Sequence, residues 1–435
     1  MQAIRKTNVR FHIAILMLFA TIINYLDRTV MSAAAPVIEK ELALNAEEMG
    51  WIMSAFFLSY ALCQIPAGYL ADRFGQRRTL AVSVVWWSLA TMATGLARTP
   101  LAFVSARVFM GIGEAGAYPC NNGVTAKWFP DRERGKVVAL FDSGSKFGTA
   151  FAMPLVVWAI ATWGWHAAFY LCGGLGLLWT IWWLRVYRDP ESHPTVSQDE
   201  LDWIRSGQAK KEGIDNRIPM KWYQLFKYRN VIAMCAGFFM LNYAIFFFIT
   251  WFPTYLMNER GMSLAEMGFA AMLPPLSGIV GQYIGGWFTD YLYTRTGNLN
   301  IARKINLVGG MLLATSIALA GITESTQGML ALLCLSYAGL AFAASALWCL
   351  PGDIAPRNMT SLLAGMQNAI ANCGGILGPV VTGYLIASNN GSFIPALAVS
   401  GGACLAGALI YLFVLKDIKP IVVNDGKQES ESGEI

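Results

Sequence analysis

The sequence predicts an all-α polytopic membrane protein whose twelve transmembrane helices form two six-helix, pseudo-symmetric repeats. Three observations carry that prediction. Of 435 residues, 55% are hydrophobic and only 14% charged, where ordinary soluble proteins carry about 25% charged residues. Apolar runs near or above the roughly 20 residues that cross a bilayer recur along the whole chain. Parts of the first half reappear in the second at one fixed offset.

Because unpaired backbone groups are prohibitively costly in lipid, the apolar runs must be helices. They cover about 12–35, 49–71, 79–97, 101–122, 137–161, 166–186, 230–256, 265–289, 305–323, 329–350, 361–387 and 392–415. The basic N-terminus and Ser32-Ala33-Ala34-Ala35 could imitate a signal peptide. Asp27 and Arg28 interrupt that run, however, and it has a counterpart later in the chain.

Basic residues set the orientation. With both termini inside, 26 of the 32 Lys and Arg are cytoplasmic, counting Arg185 at the inner edge of the sixth span, three are outside (Lys40, Arg98, Arg260) and three lie deep within spans (Arg28, Arg107, Lys146). The net charge of +5 then belongs to inner-leaflet loops and implies no nucleic-acid partner. The expected location is a bacterial inner membrane. None of the eight cysteines forms C-x-x-C, and His12, His166 and His193 are dispersed, so neither metal nor cofactor is expected.

The longest non-apolar stretch divides the spans six and six. It gives an N-terminal bundle at 1–187, a linker at 188–229, a C-terminal bundle at 230–415 and a tail at 416–435. At an offset of 218, Asn24-Tyr25 answers Asn242-Tyr243, Glu48-Met49-Gly50 answers Glu266-Met267-Gly268, and Gly68-x-x-x-Asp72 answers Gly286-x-x-x-Asp290. Two parallel repeats with a site between them are a transporter architecture. A channel would more naturally show pore-lining rings, and an enzyme a nucleophile, metal or acid-base constellation; the sequence offers neither.

One motif invites a different reading. Gly111, Gly113 and Gly116 spell G-x-G-x-x-G, the dinucleotide-binding fingerprint, and Asp131 lies twenty residues beyond the first glycine. That meaning requires a preceding strand and a soluble βαβ unit. Here the glycines lie inside a span, so they are expected to let the fourth helix pack closely on a neighbour. Gly144, Gly148, Gly374, Gly375 and Gly378 carry the same expectation.

Ionisable residues inside spans are costly and therefore functional candidates. Asp27 and Arg28 lie in the first span, Arg107 and Glu114 two turns apart in the fourth, and Lys146 in the fifth, four residues after Asp142. The positions answering Asp27 and Arg28 are Ile245 and Phe246, so the charge chemistry belongs to the N-terminal half. Two carboxylates and three cations leave +1 when both acids are ionised and +3 when both are protonated; counting Asp142 lowers these to 0 and +2. Such a cavity favours an anion, more strongly after proton uptake. In the empty state Asp27 and Glu114 are expected to pair with Arg28 and Arg107; protonation would free the guanidinium groups for a substrate carboxylate. A permanently structural Arg107–Glu114 link is the alternative.

Gly68-Tyr-Leu-Ala-Asp72-Arg73-Phe-Gly75-Gln-Arg77-Arg78 after the second span, and Arg107-x-x-x-Gly111-x-Gly113, resemble signatures of the major facilitator superfamily. The resemblance implies that Asp72 and Asp290 close the cytoplasmic side in the outward-facing state. Tyr25-x-Asp27-Arg28, Arg107 with Glu114, Tyr118-Pro119 and Trp128-Phe129-Pro130 narrow it to the anion:cation symporter family, whose galactonate and glucarate branch this chain resembles from about 12 to 415. That implies proton sites at Asp27 and Glu114, a carboxylate-holding Arg28, and an Arg107 that pairs with the coupling acid. It also implies substrate contacts from Tyr25, Tyr60, Ser345, Trp348 and Asn368. Trp348 could instead anchor the interface, and Ser345 or Asn368 could serve helix packing.

The chain departs from the branch at Ser145-Lys146, where a glutamine is usual. Lys146 could hold a second carboxylate or be neutralised by Asp142. The expected function is uptake of a small organic anion with protons by alternating access, by a monomer, the anion being an aldonate, aldarate or hexuronate. Tartrate, phthalate or another aromatic acid is the alternative cargo, and an exporter or antiporter the alternative class.

Overall fold

In the computed structural model, residues 7–206, 222–355 and 359–421 are described. The N-terminal half contains α1 (Val9–Leu42), α2 (Ala46–Phe74), α3 (Gln76–Thr94), α4 (Pro100–Glu114), α5 (Ala117–Trp128), α6 (Asp131–Trp163) and α7 (Trp165–Val186), followed by the short α8 (Gln198–Ser206). The C-terminal half contains α9 (Arg229–Thr250), α10 (Phe252–Asn258), α11 (Leu264–Thr296), α12 (Leu299–Ala314), α13 (Ser316–Ile322), α14 (Thr326–Leu347), α15 (Leu350–Ile354), α16 (Thr360–Ser388) and α17 (Ile394–Leu409), which ends in a π-helical turn at Ile410–Val414. Among the described residues there is no strand, and nine segments are long and apolar enough to cross a membrane. Each of the twelve predicted apolar runs falls on one helix or on two in succession. At 34 residues, α1 is about 51 Å long and outreaches the hydrocarbon layer.

The structure corrects the fourth span of each half, predicted as continuous. The first breaks between Glu114 and Ala117, where Gly113, Gly116 and Pro119 weaken the helix; the second breaks at Trp348–Cys349, ahead of Pro351. Asp131, which falls between the predicted spans 101–122 and 137–161, opens α6.

The repeat has a physical basis. Glu48 and Glu266 each occupy the third position of a capping box, with Asn45 and Ser263 as the caps that open α2 and α11. In both halves the first and fifth spans cross at glycine. A Cβ on Gly144 or Gly148 of α6 would meet the Leu18 or Ile22 carbonyl of α1, and one on Gly374 of α16 would meet the Phe239 carbonyl and Tyr243 amide of α9. The fingerprint glycines act likewise: Gly111 lies against the Phe56 carbonyl of α2, Gly113 against Trp86 and Trp87 of α3, and Gly116 against Ser83.

The halves meet at the face remote from the termini. There Gly50 abuts the Pro379 carbonyl, Gly268 abuts Val157, Ser54 donates to the Ile376 carbonyl at 2.7 Å, and Asn258 Nδ2 donates to Glu39 Oε2 at 3.3 Å. The larger apolar core spans both halves at this closed face, whereas a second core, around Trp87, Trp128, Trp179 and Trp183, belongs almost wholly to the N-terminal half. Among the described residues, the ion pairs at the terminus-bearing face stay within halves, as in Arg10 to Glu133 and Glu200, and Arg303 to Asp353.

Candidate functional site

The buried charges of α1 and α4 converge against α3. Asp27 is 0% exposed, and Trp87 Nε1 donates to its Oδ2 at 3.0 Å. The Arg28 guanidinium reaches across to Glu114, forming both a hydrogen bond and an ion pair with Oε1. Rings surround the same guanidinium: Tyr60 at 4.7 Å, Tyr25 at 4.8 Å and Phe56 at 5.0 Å from its carbon. Cation–π attraction of this kind holds a cation in place without neutralising it. Arg107 lies over Phe56 at 4.7 Å, with Nη1 donating to Met110 Sδ at 3.2 Å, so one ring serves two arginines.

The pairing differs from the expected one. Glu114 pairs, but with Arg28 and not with Arg107, and among the described residues neither Asp27 nor Arg107 makes an ion pair. The reason is local. Glu114 is the last residue of α4, where the helix breaks and its carboxylate can turn to α1. Asp27 Oδ1 and Arg107 Nε are buried without a hydrogen-bond partner. Unpaired buried polar atoms are costly, so this is a site in which a proton, a water or an anion changes the energy greatly.

Arg28 and Arg107 share a cavity of about 10 Å³ with Ser32, Phe57 and Thr250, the last from the opposite half. That is room for about one water. A cavity of about 890 Å³ lies elsewhere: it opens at the remote face and is lined by Glu39, Lys40, Asn258 and Glu259. None of the buried charges borders it.

On α6, Lys146 Nζ lies 3.5 Å from Asp142 Oδ2, and the Tyr118 hydroxyl donates to Asp142 Oδ1 at 3.2 Å. The C-terminal candidates are more dispersed. Ser345 donates to the Phe342 carbonyl at 2.7 Å and accepts from Asn306 at 3.4 Å, within a helix-packing network that includes Thr289 and the Gly285 carbonyl. Trp348 sits in the α14–α15 break, 52% exposed, its ring edge-on to Phe238 at 5.2 Å. Asn368 is half-buried on α16. Sequence reasoning missed Trp87 and Phe56, which look like ordinary apolar residues of long spans. Tyr118 was quoted only as part of a motif.

The loop motif divides between fold and surface. Gly75 has φ +81°, a conformation that L side chains rarely adopt, and joins α2 to α3. Gly68 faces Pro119 of α5. Arg77 Nη2 donates to the Leu184 carbonyl at 2.5 Å and Trp183 Nε1 donates to the Arg77 carbonyl at 3.0 Å, fastening the loop to the end of α7. Arg73, Arg78 and Asp290 are exposed; the Asp72 side chain lies outside the described residues.

Comparison with known proteins agrees with this architecture. The pattern described as Major Facilitator Superfamily matches residues 17–366. A D-galactonate transporter of Escherichia coli is 35% identical over 96% of this chain and 98% of its own. A probable galactarate/D-glucarate transporter, GarP, of Escherichia coli is 36% identical over 95% and 96%. Among solved structures, a bacterial homologue of the human lysosomal transporter Spinster, inward-facing and occupied, superposes with a TM-score of 0.74 at 18% identity, covering 94% of this chain and 96% of that one. A D-xylose-proton symporter superposes at 0.72, with 15% identity over 95% and 99%. The chain belongs to the major facilitator superfamily.

Proposed function

We propose that this protein is a proton-coupled symporter that takes up a small organic acid, a sugar acid of the aldonate, aldarate or hexuronate class, by alternating access. The observation that carries the reading is the buried Arg28–Glu114 pair beside Asp27, with Arg107 held on Phe56 and lacking a carboxylate. An ionised Glu114 occupies Arg28. A proton on Glu114 removes that attraction, and the freed guanidinium offers two parallel donors to a substrate carboxylate. Asp27, bonded to a neutral indole, is the second proton site. Arg107 adds positive potential.

Tyr25 and Tyr60 then flank the bound anion, and Trp348 and Asn368 contribute a ring face and an amide from the other half. The names of the relatives support the cargo class. With termini in the cytoplasm of a bacterium, the closed remote face is the outer one, and this form is inward-facing. Rocking the halves closes the terminus-bearing face, where Asp72 and Asp290 hold helix ends together. A monomer of two bundles, 1–187 and 230–415, joined by 188–229, suffices for this cycle.

The test is uptake into proteoliposomes from a panel of aldonates, aldarates, hexuronates, tartrate and aromatic acids, with and without an inward proton gradient. The reading expects gradient-dependent accumulation of at least one sugar acid. It fails if no acid accumulates, or if Asp27→Asn and Glu114→Gln both leave gradient-driven uptake intact.

A further inference from the structure

The geometry points to a second ionic lock, Lys146 with Asp142, that opens to a second carboxylate, so that the cargo is an acid with a carboxylate at each end. This rests on the transport reading above and adds what that reading leaves open: which class of sugar acid fits.

Two cation–carboxylate pairs lie in one neighbourhood. Gly144 meets Leu18 and Thr21, and Gly148 meets Ile22 and Tyr25, so α6 runs tightly against the stretch of α1 that leads to Arg28. Lys146, midway between these glycines, is level with about residue 22. That places it six residues, or about 9 Å, along the axis from Arg28. An axial separation of about 9 Å is on the scale of an extended six-carbon diacid. Tyr118 stands at this end, where its hydroxyl donates to Asp142 Oδ1 at 3.2 Å.

The two locks differ in tightness. Glu114 is fully buried beneath Arg28, whereas the Asp142 and Lys146 side chains are 44% and 26% exposed, with 3.5 Å between their charges. A partly exposed i,i+4 pair is weakly held and exchanges readily. When a substrate carboxylate takes Lys146, Asp142 keeps the Tyr118 hydroxyl and its contact with water, so no charge is stranded. When the cargo has one carboxylate, Lys146 stays with Asp142 and contributes little. A second carboxylate brought to this end without a cation would lose hydration uncompensated. Lys146 is therefore the specificity-determining residue for the distal end of the cargo.

The test compares galactarate with D-galactonate, which differ only in whether one end is a carboxylate or a hydroxymethyl group. Binding and gradient-driven uptake of both are measured for the purified protein, Lys146→Met, Lys146→Arg and Asp142→Asn. The wild type is expected to prefer galactarate. Lys146→Met reduces that preference at least tenfold, Lys146→Arg retains it, and Asp142→Asn retains or raises it, because Lys146 loses its competitor. Should Lys146→Met fail to fold, Asp142→Asn decides by itself: a fall in galactarate preference overturns the assignment. An equal preference in wild type and Lys146→Met, or a wild-type preference for D-galactonate, also overturns it while leaving the transport reading in place. If neither these acids nor any other of the panel is bound or carried, the transport reading falls and takes this assignment with it.

Discussion

The two halves share a packing plan and differ in chemistry. In each, the first span crosses the fifth at glycine, with Tyr25 beside Gly148 on one side and Tyr243 beside Gly374 on the other. Yet where the N-terminal half has Asp27 and Arg28, the C-terminal half has Ile245 and Phe246. Phe246 turns its ring across the divide, T-shaped to Phe57 at 4.4 Å. Helix crossing needs only small residues and complementary surfaces, so both halves can keep it. Buried ionic chemistry is costly, and here one half carries it while the other presents an apolar wall.

The comparison is broken most directly by removing one side of the buried pair. Arg28→Ala leaves Glu114 without its cation, a loss of about 3–5 kcal/mol in such settings. Abolished uptake with a lowered melting temperature is expected, read by transport assay and thermal unfolding in detergent. At the answering position, Phe246→Leu is expected to cost far less in both measurements. If the two substitutions are equivalent, the division of labour is wrong.

Trp87→Phe keeps an aromatic ring beside Asp27 but removes the donor, worth about 1.5–3 kcal/mol when the acceptor is charged. Gradient-driven uptake should slow by at least tenfold while the fold persists, and full retention of rate would remove Trp87 from the coupling site. The shared packing plan is sharpened by Gly148→Leu and Gly374→Leu. Both are expected to destabilise by about 1–3 kcal/mol through overpacking, and matched melting shifts would establish that the repeat is mechanical. A shift in only one half would break the symmetry. The smallest effect belongs to the closed face. Asn258→Ala deletes the hydrogen bond to Glu39, about 0.5–1.5 kcal/mol, and should raise the population open at that face, measured by thiol labelling of a cysteine introduced at Ser392.

The amino-acid sequence by itself determined the helices, the six-and-six division of apolar runs and the glycine crossings. These follow from local properties: apolar length, backbone hydrogen-bond demand and the absence of a Cβ. It also marked the buried charges, because ionisable residues stand out in apolar runs. It could not say which charges meet. Trp87 and Asp27 are 60 residues apart in the chain, and Arg28 and Glu114 are 86; only the packing of α1, α3 and α4 brings them together. The heptad spacing of Arg107 and Glu114 suggested a pair along one helix, but the break after Glu114 turned the carboxylate to a different partner. The closed face was likewise a tertiary decision, since it depends on which ends of two similar bundles touch, and that is a balance between surfaces distant in sequence.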